Sequence, residues 1–138
     1  MSRTFCCLAS SLAILCVRVA PMRAQSAPAT GGHVVIVKLV TKAGSVPYAF
    51  EPASITAQQG DTLRFIEDAA VIHNVRFTSH PSGSKLGAAT TGPYLTTKGE
   101  TYDLIINGRF TEGHYDFVCD PHAMLGMHGV LTVGKRAQ

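Results

Sequence analysis

The residues best able to do chemistry in this chain are crowded into one stretch, Cys119-Asp120-Pro121-His122-Ala123-Met124-Leu125-Gly126-Met127. It offers a thiol at Cys119, an imidazole at His122 and a thioether at Met127, all in a turn ahead of the last apolar run. A thiolate, an imidazole and a thioether on one tight loop can converge on a soft metal ion. Such a metal needs a further nitrogen donor, and His73 can supply it from a separate strand. Two imidazoles, one thiolate and a weak, long axial thioether are the blue-copper donor set. The thiolate donates strongly, the imidazoles satisfy Cu(II) and Cu(I) alike, and the thioether favours Cu(I) without binding tightly. A compromise cage of this kind has little to rearrange when one electron moves.

Rival chemistries fit less well. Met124 competes with Met127 for the axial place, because both thioethers sit on the same loop. Zinc prefers four nitrogen or thiolate donors, and a thioether is a poor fourth. A nucleophilic Cys119–His122 pair lacks an acid or amide to orient the imidazole, and Pro121 sets a turn rather than a helix N-terminus. Asn74, next to His73, is expected to brace the site by bonding the loop or the sulfur. Asp120 places a negative charge beside the thiolate and is expected to lower the reduction potential. His33, His80, His114 and His128 are expected at the surface. Paired carboxylates, a second metal set and a phosphate-binding glycine loop are all missing from the sequence, so an enzyme is not expected.

The elements that must position these residues read as strands. His33 to Thr41 is β-branched and apolar. Phe50-Glu51-Pro52 and Ser54-Ile55-Thr56 form a Pro-interrupted edge, and Gly60-Asp61 a turn. Thr62 to Glu67 alternates Leu63 and Phe65 against Thr62 and Arg64, and Val71 to Phe77 reads as the strand carrying His73. Residues 79–95 read as a long loop, Thr101 to Asn107 as a strand, and Gly129 to Val133 as the closing one. From His114 to Cys119 the period of two puts Tyr115, Phe117 and Cys119 on one face. About seven or eight short strands, with 13 Gly and 7 Pro as punctuation and no helical periodicity, predict an antiparallel sandwich or barrel.

The N-terminal segment reads as an export signal. Arg3 precedes an apolar run from Phe5 to Val17, too short to span a bilayer comfortably, and cleavage is placed after Ala24. Residues 1–24 are thus the leader, 25–32 a small-residue linker and 33–134 the folded domain. Cys6, Cys7 and Cys16 leave with the leader, so Cys119 is a lone thiol in an exported protein and has no internal disulfide partner. Three of the 12 basic residues also lie in the leader, which leaves 9 against 9 acidic ones. A near-neutral mature chain argues against nucleic acid or an anionic membrane as partner.

Residues 33–134 resemble the plastocyanin-like cupredoxin family. The match rests on Cys119-x-x-His122-x-x-x-x-Met127 with Pro121 inside it, on His73-Asn74-Val75, and on Phe50-x-Pro52-x-x-Ile55-x-x-x-x-Gly60-Asp61. The resemblance implies a two-sheet Greek-key β-sandwich and one type 1 copper per chain, held by His73, Cys119, His122 and Met127. It implies a monomeric carrier of single electrons between a donor and an acceptor redox protein, in the periplasm or otherwise outside the cytoplasm. A copper storage or delivery module is the alternative that uses the same ligands. Two positions depart from the family. Val118 stands where plant plastocyanins place a Tyr, and Asp120 where Ser or Thr is usual. An acidic patch near the site is also lacking.

Overall fold

The computed structural model describes residues 32–135. The expected leader and nearly all of the linker therefore lie outside the described residues. Eight strands follow one another: β1 (Val34–Thr41), β2 (Tyr48–Glu51), β3 (Ser54–Gln58), β4 (Thr62–Glu67), β5 (Arg76–Ser79), β6 (Thr101–Ile105), β7 (Gly113–Val118) and β8 (His128–Gly134). One sheet has the order β2-β1-β4-β6, the other β3-β8-β7-β5. Between β2 and β3 the chain leaves one sheet for the other at Pro52-Ala53, which is why the Pro-interrupted edge is two strands and not one. No helix among the described residues is long and apolar enough to cross a membrane.

The two-sheet sandwich matches the expectation, but its sheets are mixed rather than antiparallel. β1 runs parallel to β4, with Val35 opposite Leu63, and β3 runs parallel to β8, with Ile55 opposite Leu131. Parallel neighbours need crossovers between the layers. The short hairpin-like turns in the sequence conceal them.

Period-two alternation fills the space between the sheets. Leu63, Phe65 and Glu67 of β4 point inward, as do Tyr115 and Phe117 of β7, followed by Cys119. Phe117 is the hub: its ring lies 4.8 Å from Phe50, 5.8 Å from Phe77 and 6.1 Å from Phe65, all edge-on. Each fully buried aromatic of this kind contributes about 1.5–3 kcal/mol. Gly129 faces this hub across the β7–β8 pair, where a Cβ would stand 2.3 Å from the Phe117 ring.

The strand expected from Val71 to Phe77 starts later, at Arg76. His73 instead pairs with Leu95 by two backbone bonds, 3.0 and 2.8 Å, and Arg76 bridges to Thr91. Residues 79–95 thus fold back along the His73 segment, with a single 3₁₀ turn at Gly87–Thr90.

Candidate metal centre

Cys119 ends the inward row of β7 and is fully buried. Directly after it, Asp120–Leu125 form a 3₁₀ helix, where the sequence predicted only a turn. Pro121 suits its first turn, since its fixed φ is already helical and no N–H is wasted. Gly126 closes the helix at φ 86°, a left-handed conformation that favours glycine. Three backbone bonds link the candidate donors of the loop: His122 N–H to Cys119 O at 3.1 Å, Met127 N–H to His122 O at 3.1 Å, and Cys119 N–H to Met127 O at 3.2 Å. Each therefore joins two of the three candidate donors of this loop.

The side chains follow. Cys119 Sγ lies 3.4 Å from His122 Nδ1, and the His122 and His73 rings are 4.9 Å apart between centroids. Cys119, His73 and Met127 are 0% exposed, His122 9% and Met124 97%. Met124 thus points to solvent and Met127 to the interior, which separates the two competing thioethers. The four other histidines lie at the surface as expected. His73 does not yet aim both ring nitrogens at this cluster. Its Nδ1 bonds Glu67 Oε2 at 2.8 Å, and among the described residues no three His, Cys, Asp or Glu side chains already close around one point. Its Nε2 is buried without any hydrogen-bond partner. An orphaned imidazole nitrogen, a buried thiol beside a second imidazole and a buried thioether fit a soft metal ion.

Electrostatics support the same reading. Burial pushes the Cys119 thiol up, and the charges of Asp120 and Glu67 push it further; the backbone N–H groups of Asn74 and His122 act the other way. A metal cation bound at the sulfur would favour the thiolate over the thiol. Burial, then the neighbouring His73, pushes His122 down, with Glu67 opposing, so its nitrogen lone pair is available at neutral pH. Asn74 braces the loop from both ends of its amide: Nδ2 donates to Asp120 Oδ2 at 2.8 Å, and Asp120 N–H donates to Asn74 Oδ1 at 2.8 Å. The Asn74 bond, and then Arg76, hold the Asp120 carboxyl below its ordinary value. Arg76 Nε donates to Asp120 Oδ1, so the charge expected to act alone on the sulfur is part of an ion pair.

Two residues at the centre escaped the sequence reading. Glu67 is 0% exposed and touches His73. The signal was present, since Leu63, Phe65 and Glu67 share the inward parity of β4. Tyr48 shares the side of Phe50 on β2 and stacks on His122, with centroids 3.8 Å apart and planes at 28°. Its ring covers His122 and explains why that residue is more enclosed than its loop position suggests.

A model of the copper binding proteins of the plastocyanin/azurin family matches residues 35–134. The chain belongs to that family. It is 36% identical over 101 residues to the plastocyanin of Scenedesmus fuscus, covering 72% of this chain and 98% of the relative. It is 37% identical over 100 residues to the plastocyanin of Ulva prolifera, covering 71% and 97%. Among solved structures, oxidized plastocyanin from Dryopteris crassirhizoma superimposes with a TM-score of 0.59 at 28% identity, covering 72% of this chain and 100% of the other. Pseudoazurin from Methylobacterium extorquens gives 0.54 at 28% identity, covering 76% and 78%. As a plastocyanin-like protein, the chain binds one type 1 copper and acts as a copper electron carrier.

Proposed function

We propose that His73, Cys119, His122 and Met127 hold the copper, and that the mature protein is a monomeric carrier working outside the cytoplasm. The observation that carries this reading is the pairing of a buried lone thiol with His122 at 3.4 Å, beside a buried His73 nitrogen without a partner. When bound, copper supplies a one-electron Cu(II)/Cu(I) couple. The chain's residues supply the rest. Cys119 would bring a thiolate at the end of a rigid strand, and the two imidazoles would bring a nitrogen each. Met127 shields the site from the core side. His122 is the donor nearest to solvent at 9% exposed, whereas His73 at 0% is closed off.

The docking face for donor and acceptor proteins is therefore the loop around His122, where Met124 is 97% and Leu125 47% exposed. A small apolar face suits an encounter that must dissociate quickly after transfer. Residues 1–24 act as the export signal and 25–32 as the linker, which places the domain in the periplasm or an equivalent compartment. The chain catalyses no reaction of its own on this reading. The test is the absorption spectrum of the copper(II) protein. Wild type should show an intense sulfur-to-copper charge-transfer band and a reversible one-electron couple, and Cys119→Ser should lose the band. A colourless wild type at full copper(II) occupancy overturns the ligand assignment.

A further inference from the structure

We propose that the free edge of β6 is a docking slot for an extended acidic segment of a partner protein, which adds to the sheet as a strand and leaves the His122 face open. β6 is the last strand of its sheet and pairs with β4 alone. In an antiparallel pair, alternate residues turn their backbone groups toward the neighbour. Glu100 O accepts the Glu67 N–H at 2.9 Å, while Ile106 donates to Asp61 O at 2.8 Å and accepts the Gly60 N–H at 2.7 Å. The even-numbered residues, Tyr102 and Leu104 among them, therefore face β4. Thr101, Asp103 and Ile105 turn their N–H and C=O groups the other way, where no strand lies among the described residues. A groove of about 300 Å³ follows this edge. Leu104 and Phe110, both buried, give it apolar surface, and Ala88 and Ala89 of the 3₁₀ turn line it with side chains short enough to admit a backbone. A free edge beside such a groove is the arrangement that takes up an extended peptide by strand addition.

The edge is also unguarded. Sheet edges ordinarily carry a Pro, a Lys, a bulge or a very short strand that blocks further pairing. β2 has four residues and runs into Pro52, and β5 has four with a register shift between Phe77 and Ser79. β6 has none of these devices, and its one charge, Asp103, is held by Arg64 through two bonds of 2.8 and 2.6 Å. Charge selects the occupant. Arg109 lines the groove, and the Lys85 N–H donates to Arg109 O at 2.8 Å, which brings two cationic residues together. Among the described residues neither makes an ion pair. Two uncompensated cations favour carboxylates on the incoming strand. Position separates the slot from the electron-transfer face. Tyr48, which covers His122, lies on β2 at the opposite edge of the same sheet, three strand spacings or about 14 Å away. A partner anchored at β6 would stay at high local concentration near His122 without covering it.

The test uses the copper(I) protein and a blocked hexapeptide alternating Glu and Val, with a Lys-Val peptide and an N-methylated Glu-Val peptide as controls. In ¹H–¹⁵N spectra of wild type, saturating Glu-Val peptide should slow amide exchange of Thr101, Asp103 and Ile105 about tenfold or more, and leave Tyr102 and Leu104, already bonded to β4, unchanged. The N-methylated peptide keeps the charge but lacks the pairing N–H groups, and should bind about tenfold more weakly. Arg109→Glu, at an exposed position, should weaken the Glu-Val peptide about tenfold and leave the absorption spectrum of the copper(II) protein unchanged. The absence of a saturable effect on wild type overturns the proposal, as does protection without the alternation or equal binding of the Lys-Val peptide, and none of these readings needs a variant to fold. Protection of the same three amides that grows with protein concentration in the absence of peptide would place a second copy on the edge and overturn it equally.

Discussion

Asp120 and Arg76 together set a local field beside Cys119, and separating them gives a signed, measurable effect. Replacing Asp120 by Asn removes one negative charge while keeping an oxygen for Asn74 or Arg76. Taking about 7 Å between the carboxylate and the sulfur of the adjacent residue, the Coulomb term is about 0.6 kcal/mol at the dielectric of water and about 2.4 kcal/mol at an effective 20. For one electron that is about 25–100 mV, since ~1.36 kcal/mol corresponds to ~59 mV. The Asp120 side chain is 28% exposed, so screening favours the lower half of that span, about 25–60 mV. Its guanidinium partner lies on the far side of the carboxylate; taking about 10 Å to the sulfur, it contributes about 0.4–1.7 kcal/mol of opposite sign. Hence Asp120→Asn should raise the reduction potential, because the charge that favoured Cu(II) is gone while Arg76 stays. Arg76→Gln should lower it by about 20–40 mV on the same screening. In the double variant the two largely cancel, to within about 20 mV of wild type. Cyclic voltammetry at fixed pH and ionic strength reads all four corners of the cycle. A potential that falls in Asp120→Asn, or a double variant displaced as far as the single one, would refute the field argument. The effect would then belong to loop geometry held by Asn74.

Two other expectations test packing and the axial donor. Met127→Leu should retain copper and colour while raising the potential, because an axial thioether is a long and weak bond, whereas Met124→Leu, at a solvent-facing position, should leave the absorption spectrum unchanged; the reverse pattern would reassign the axial residue. Gly129→Ala would bring a methyl to 2.3 Å from a Phe117 ring that Phe50 and Phe77 prevent from retreating. Overpacking of this kind costs about 1–3 kcal/mol. At about 4–8 °C per kcal/mol the thermal midpoint should drop by about 5–20 °C, and a midpoint within ~2 °C of wild type would show that the hub can yield.

What could be read from the sequence was local in origin. The bounds of β4, Thr62–Glu67, and the inward row Tyr115, Phe117, Cys119 follow from a period of two that needs no knowledge of the neighbouring strand. The loop of candidate donors was legible for the same reason: Cys119, His122 and Met127 are close in sequence, and Pro121 and Gly126 mark where the loop tightens and ends. His73 was legible as a residue type beside Asn74, although its strand was drawn too early.

Tertiary structure alone decided what lies across from what. Strand direction depends on pairing between segments far apart, and no local pattern distinguishes β1 beside β4 in parallel from an antiparallel neighbour. The same holds for partners of charge. Arg76 lay within the expected Val71–Phe77 strand with no partner until the fold set it on Asp120, and Tyr48, just ahead of the expected Phe50 edge, had no role until it covered His122. Glu67 shows the division most clearly. The period of two carries it to the inner face of β4, an implication that went undrawn, but whether a buried carboxylate there is a defect or a device depends on the group opposite. Only the return of the chain through His73, pinned to Leu95, puts an imidazole against it. Side-chain parity is written in a few consecutive residues, whereas the compensation of a buried charge is a property of the closed sandwich.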